Sequence, residues 1–180
     1  DVGALTVSGT SIALGGGTFN ATTVNFNSVG AVTIAEDSAM DIVGVNTAGS
    51  AALSSTAALS DAGATSVTVT GLGSFSGTSV SLGGGTFDTG TLTFNSAGAV
   101  TIAEDSAMAI VGVNTGAATA LLSTAGISDA GATSVDVGAL TVSGTSIALG
   151  GGTFNATTVN FNSAGAVTIA EDSAMAIRSE

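Results

Sequence analysis

Apolar and polar residues alternate along this chain in short runs. From Ala4 to Val7 it reads Ala-Leu-Thr-Val and from Ser11 to Leu14 Ser-Ile-Ala-Leu, which puts Leu5, Val7, Ile12 and Leu14 on one face. A period of two over four to six residues predicts a half-buried β-strand and fits no 3.6-residue helical stripe. Gly15-Gly16-Gly17 then breaks the pattern. Glycine reaches backbone conformations that a corner between strands requires, and each one would cost a helix about 1 kcal/mol. Further strands are predicted at Thr23 to Phe26, with Val24 and Phe26 inward, and at Ala31 to Ala35, with Val32 and Ile34 inward. Asn27, Ser28 and Gly30 supply the turn between them, and Asn46-Thr47-Ala48-Gly49 reads as another turn cluster after Asp41 to Val45. Between Ser50 and Ala64 the Ala and Leu content would allow a helix, but Ser54, Ser55 and Thr56 interrupt it, and short strands around Ala52 and Ala58 are expected.

The strands recur. Ala-Val-Thr-Ile-Ala-Glu-Asp-Ser-Ala-Met occurs at Ala31 to Met40, Ala99 to Met108 and Ala166 to Met175, spacings of 68 and 67 residues. Asp1 to Met40 returns as Asp136 to Met175 with one difference, Val29 against Ala164. Where copies differ they differ conservatively, as at Ile12, Val80 and Ile147. A repeat of this kind signals units that bury their apolar faces against one another. Three coils of roughly 22 residues per repeat, within the range of strand-bearing solenoid units, give about eight coils in a rod about 40 Å long. The expected fold is therefore all-β, a parallel β-helix in which residues 1–180 form one solenoid segment. Both ends fall inside a repeat, so a segment of a longer array is expected. The strand edges at the ends of such a rod invite another chain to continue the sheet.

Composition narrows the functions. With 44% hydrophobic residues the chain should fold, yet its aromatics are all Phe and it has no Pro, Trp, Tyr, His or Cys. One basic residue, Arg178, against 13 acidic ones gives a net charge of −12, which repels nucleic acid and anionic membranes. No apolar run approaches the ~20 residues of a spanning helix, and the Trp and Tyr girdles usual in a transmembrane barrel are missing, so no membrane insertion is expected.

The candidate chemistry is carried by carboxylates. Glu36-Asp37, Glu104-Asp105 and Glu171-Asp172 recur with the repeat. They are candidate calcium ligands, with nearby Ser and carbonyl oxygens completing the six or more that calcium needs. The competing reading is a solubilising turn that projects the pair into solvent from a corner. The glycine triplets follow neither the Gly-Gly-x-Gly-x-Asp spacing of calcium-binding nonapeptides nor the Lys-Ser/Thr ending of a phosphate loop. Lacking His, Cys, Tyr and Lys, the chain excludes triads, thiolates and Schiff bases. Carboxylate-only glycoside chemistry needs one tuned pair, whereas every acidic cluster here is repeated with its scaffold, so no enzymatic activity is expected. Outward Thr68/Thr70 and Thr91/Thr93 are candidates for a hydroxyl-rich face that binds glycan or ice.

The units Ala-Val-Thr-Ile, Thr-Leu-Thr-Phe-Asn-Ser-Ala-Gly and Thr-Ser-Ile-Ala-Leu-Gly-Gly-Gly-Thr-Phe resemble the repeats of large bacterial surface proteins, the filamentous-haemagglutinin-like and autotransporter passenger adhesins. The resemblance covers essentially all 180 residues and rests on the style of the repeat. It implies a right-handed parallel β-helix, exported and extracellular or on the cell surface, acting as a stalk, adhesin or matrix fibre, and it supplies no functional residues. The expected function is a non-enzymatic structural segment that extends or assembles by end-to-end strand stacking. Its expected partners are other copies of itself end to end, or neighbouring repeats of a parent chain. The alternative is a binding module whose Thr/Ser-rich face takes a glycan, ice or a host surface. No cofactor is expected, calcium being the one candidate.

Overall fold

The computed structural model describes residues 1–178. Its twenty strands pair in parallel with no helix, and the chain winds as a β-solenoid of about nine turns. One inward file shows the winding: Met40, Leu59, Val80, Val100, Thr119, Leu140, Val159 and Ile177 stack one above the next. That file covers 177 − 40 = 137 residues in seven steps, about 19.6 residues per turn. The turns are therefore shorter and more numerous than eight coils of 22.

The difference arises where the pattern was hardest to read. Val45–Ala48, Ser50–Ser55 and Ala58–Asp61 are all strands, and together with the tight corner at 62–65 they complete one turn before Ser66 stacks on Val45. The short strands expected around Ala52 and Ala58 are present. The expected turn at Asn46-Thr47-Ala48 is instead strand, and Asn46 is wholly buried. The corner lies just before it, at Gly44, whose φ of 71° favours glycine, and Gly112 matches it at 68°.

Inward residues follow the alternation read from the sequence. Val24, Phe26, Val32, Ile34, Val67 and Val69 all lie in one continuous core that runs the length of the rod. Burying each such side chain contributes about 1.5–3 kcal/mol. Large and small residues offset each other: a Cβ on Gly73 would sit 2.7 Å from the Phe75 ring, and Phe75 in turn meets Phe87 with ring centroids 5.5 Å apart. Leu5, Val7 and Leu14 at one end are only partly buried, and Phe161 at the other is 40% exposed, because no turn among the described residues covers them.

Shorter turns change how the repeats are arranged. An offset of 68 residues is about 3.5 turns at 19.6 residues each, and two repeats, 135 residues, are about 6.9. Equivalent residues of successive copies therefore lie on different faces. Ile12 belongs to the file Ile12, Val32, Ala51, Gly73, Leu92, Ile110. Val80 belongs to the file of Met40. Ile147 stacks on Ile127 and Met108, two residues from Ile110, so the third copy returns to the side of the first.

Candidate functional site

Each acidic pair sits where a strand ends and the chain swings outward before the next Met. At that bulge the turn below loses its ladder acceptors, and the carboxylates replace them. Glu36 Oε1 accepts the Ala21 N–H at 2.6 Å and the Ser38 hydroxyl at 3.0 Å, while Asp37 Oδ2 accepts the Phe19 N–H at 2.7 Å. In the second copy Glu104 Oε1 takes the Thr89 N–H at 2.6 Å and its hydroxyl at 3.0 Å, and Asp105 takes the Phe87 N–H at 2.9 Å. In the third, Glu171 takes the Ala156 N–H at 2.9 Å and Asp172 the Phe154 N–H at 2.8 Å. Asp37, Asp105 and Asp172 also donate their own N–H groups to the carbonyls of Phe19, Phe87 and Phe154.

The pair divides, Asp37, Asp105 and Asp172 facing solvent as a solubilising turn would have them and the glutamates turning inward. Glu36 and Glu104 are each 2% exposed, because in an extended strand one neighbour of every two points inward. In each of the six carboxylates named as candidate calcium ligands, one oxygen accepts from a backbone N–H. Among the described residues no group of three Asp, Glu, His or Cys comes together to hold a metal. The second Glu oxygen, Oε2, is buried without a hydrogen-bond partner in all three copies. Burial raises the Glu104 carboxyl above its ordinary value; the N–H and hydroxyl of Thr89 pull it back, and the nearby Asp88 carboxylate pushes it further up.

The glycine triplets form a second recurring constellation. The N–H groups of Gly83 and Gly84 converge on the carboxylate of Asp61 in the turn below, at 2.9 and 3.0 Å. Gly150 and Gly151 hold Asp129 in the same way, at 3.0 and 2.9 Å. The triplet is a corner, as expected, and also a cradle for an anionic side chain. Nothing in the spacing of the sequence brings Asp61 to Gly83, 22 residues away; only the rung length does.

Buried asparagines are the third. Asn46 Oδ1 accepts the Phe26 N–H at 2.9 Å, and its Nδ2 donates to the carbonyls of Val43, Gly44 and Ser66 at 3.1–3.3 Å. Asn114 repeats these contacts with Phe94, Val111, Gly112 and Ser134. The sequence offers one signal, Val-Gly-Val-Asn-Thr occurring twice, but the cluster Asn46-Thr47-Ala48-Gly49 reads first as a turn.

Outward hydroxyls do not build an unbroken threonine file. Thr68 stands between Thr47 and Asp88, Thr93 stacks on Ser74, and Thr91 on Leu72. Shallow grooves lined by Ser28, Val29 and Thr47, and by the equivalent Ser96, Ala97 and Thr115, recur in the first two copies. Across the described chain, then, the polar groups with specific geometry serve the rod itself, closing gaps in the backbone ladder. Compared with known proteins, the chain matches no family model, no curated protein and no solved structure.

Proposed function

We propose that this chain is a non-catalytic structural segment whose role is to extend or assemble a β-solenoid rod by strand stacking along its axis. The observation that carries this reading is that the specific chemistry serves the axis of the rod. Carboxylates, amides and hydroxyls with defined partners hold turn upon turn along the rod, and its strands stack in parallel on the turns next to them, the pairing by which a solenoid lengthens. Resemblance of the repeats to bacterial surface adhesins supports an extracellular or cell-surface setting for the rod.

Electron microscopy of the purified chain tests the reading. Filaments one solenoid wide, with a meridional spacing near ~4.8 Å in fibre diffraction, are expected. A charge of −12 opposes their growth, so filaments should lengthen as salt rises from about 10 mM to about 500 mM, where the Debye length falls to a few ångströms. Particles that stay single under both conditions exclude assembly. The recurring hydroxyl-lined grooves favour a second reading, a glycan-binding face, which a glycan array with the intact chain would detect.

A further inference from the structure

All three acidic bulges place their donors on one glutamate oxygen and leave the other bare. Oε1 of Glu36, Glu104 and Glu171 accepts an N–H from the strand below and the hydroxyl of the serine two residues on, whereas Oε2 is buried without a partner in each copy. A carboxylic acid suits this arrangement as well as a carboxylate does. Its carbonyl oxygen keeps every one of these bonds while the proton sits on the other oxygen, and a neutral group costs far less to bury than a charged one.

The copies differ in what stands beneath the glutamate. Asp88 lies between Phe87 and Thr89, whose N–H groups Asp105 and Glu104 accept, so three carboxylates gather at the middle bulge. In the other copies Asn20 and Asn155 hold that place, and the third carboxylate is one rung lower: Asp1, which accepts from Asn20 Nδ2 at 2.9 Å, and Asp136, stacked under Asn155. The residue under Asp88 is Thr68. On the rung above, Ser123 and Thr124 bring no charge to Glu104. Glu104 therefore meets Asp88 from the strand below and Asp105 on its own bulge. Burial first, and then Asp88, favour its protonated form against the pull of the Thr89 donors.

We propose that the middle bulge is a proton-operated joint, in which Glu104 carries a proton on Oε2 while the bulge is closed over Thr89 and gives it up to solvent when residues 104–107 swing outward. Acid holds the joint shut. Toward neutral pH, opening gains the hydration of the freed carboxylate and its distance from Asp88, and it releases the N–H and hydroxyl of Thr89. The rod thus has one pH-sensitive point within its length, set apart from the two sister bulges by a single Asp-for-Asn difference. This goes beyond the stacking function and holds whether or not rods assemble.

Native-state hydrogen exchange on the full chain, read residue by residue by NMR, tests the joint. After correction for intrinsic exchange, protection of the Thr89 N–H should fall about fivefold or more between about pH 4.5 and about pH 7. Val67 and Val142, wholly buried in the core, report opening of the whole rod and should change less, as should Ala156 at the sister bulge. Asp88→Asn gives the middle copy the residue of the other two; it should leave the circular dichroism unchanged and at least halve the fall at Thr89. Glu104→Gln should abolish it. Protection of Thr89 that stays flat with pH, that follows Val67 and Val142 step for step, or that ignores Asp88→Asn overturns the inference.

Discussion

A buried carboxylate that accepts a backbone hydrogen bond serves the fold in a way that titration can expose. Glu104 closes the gap below the bulge by taking the buried Thr89 N–H, so Glu104→Ala should cost about 1–3 kcal/mol, read as a lowered denaturant midpoint. Glu104→Gln keeps the accepting oxygen and removes the desolvated charge, and should cost far less. The same pair of variants predicts a pH dependence. Desolvation raises the folded-state value of Glu104 above that of the unfolded chain, with Asp88 adding to the shift. The folded chain therefore takes up a proton, and the stability this group contributes is full below the ordinary carboxylate value and lost as pH rises through the raised one. Thermal melts from about pH 4 to about pH 7 should decline more steeply in the wild type than in Glu104→Gln, a difference that a solvent-exposed carboxylate would not produce. Asn114 makes a companion case: removing it orphans the Phe94 N–H and three carbonyls' donor, so Asn114→Ala should destabilise by about 3 kcal/mol or more.

Among the elements, the corners decide the winding. Gly85 and Gly17 occupy the same place in the sequence of their copies, yet only Gly85 has a turn beneath it. Gly85→Ala should lower the melting temperature by several degrees, since its methyl overlaps backbone that cannot yield, while Gly17→Ala should be silent. This asymmetry marks the limit of what the sequence discloses. Alternation at Leu5/Val7, Val24/Phe26 and Val67/Val69 disclosed strands and their inward faces, because the pleat enforces a period of two locally. The parallel solenoid followed from the repeat. The rung length was not legible, because it depends on whether Asn46 begins a turn or fills an inward slot, and that is settled by the Phe26 N–H one turn below. The acidic pairs were found by their recurrence, but their direction was not, since a carboxylate goes inward only when an unpaired N–H awaits it there. Asp61 beside Gly83 was invisible for the same reason: partners one rung apart can be named only once the rung is known.

On the scale of the whole rod, a repeat of about 3.5 turns places identical sequences on alternating sides while preserving their local contacts. Phe19, Phe87 and Phe154 each give an N–H to an aspartate one turn above, although the second lies on a different face from the other two. The cross-section must therefore offer equivalent surroundings on those two sides, and each outward feature recurs on a given side only every second repeat. Thr33, Thr101 and Thr168 are equivalent and exposed, and the chain has no cysteine, so spin labels at pairs of these positions can measure the winding directly. Labels at Thr33→Cys and Thr168→Cys should lie on one side and be separated by seven rungs, about 34 Å. Labels at Thr33→Cys and Thr101→Cys are only about 17 Å apart along the axis but on different sides, so their distance should exceed about 20 Å once the width of the rod is included. Three whole turns per repeat would instead line up all three labels at about 14 Å and about 29 Å from Thr33, and that outcome would overturn the alternation of faces.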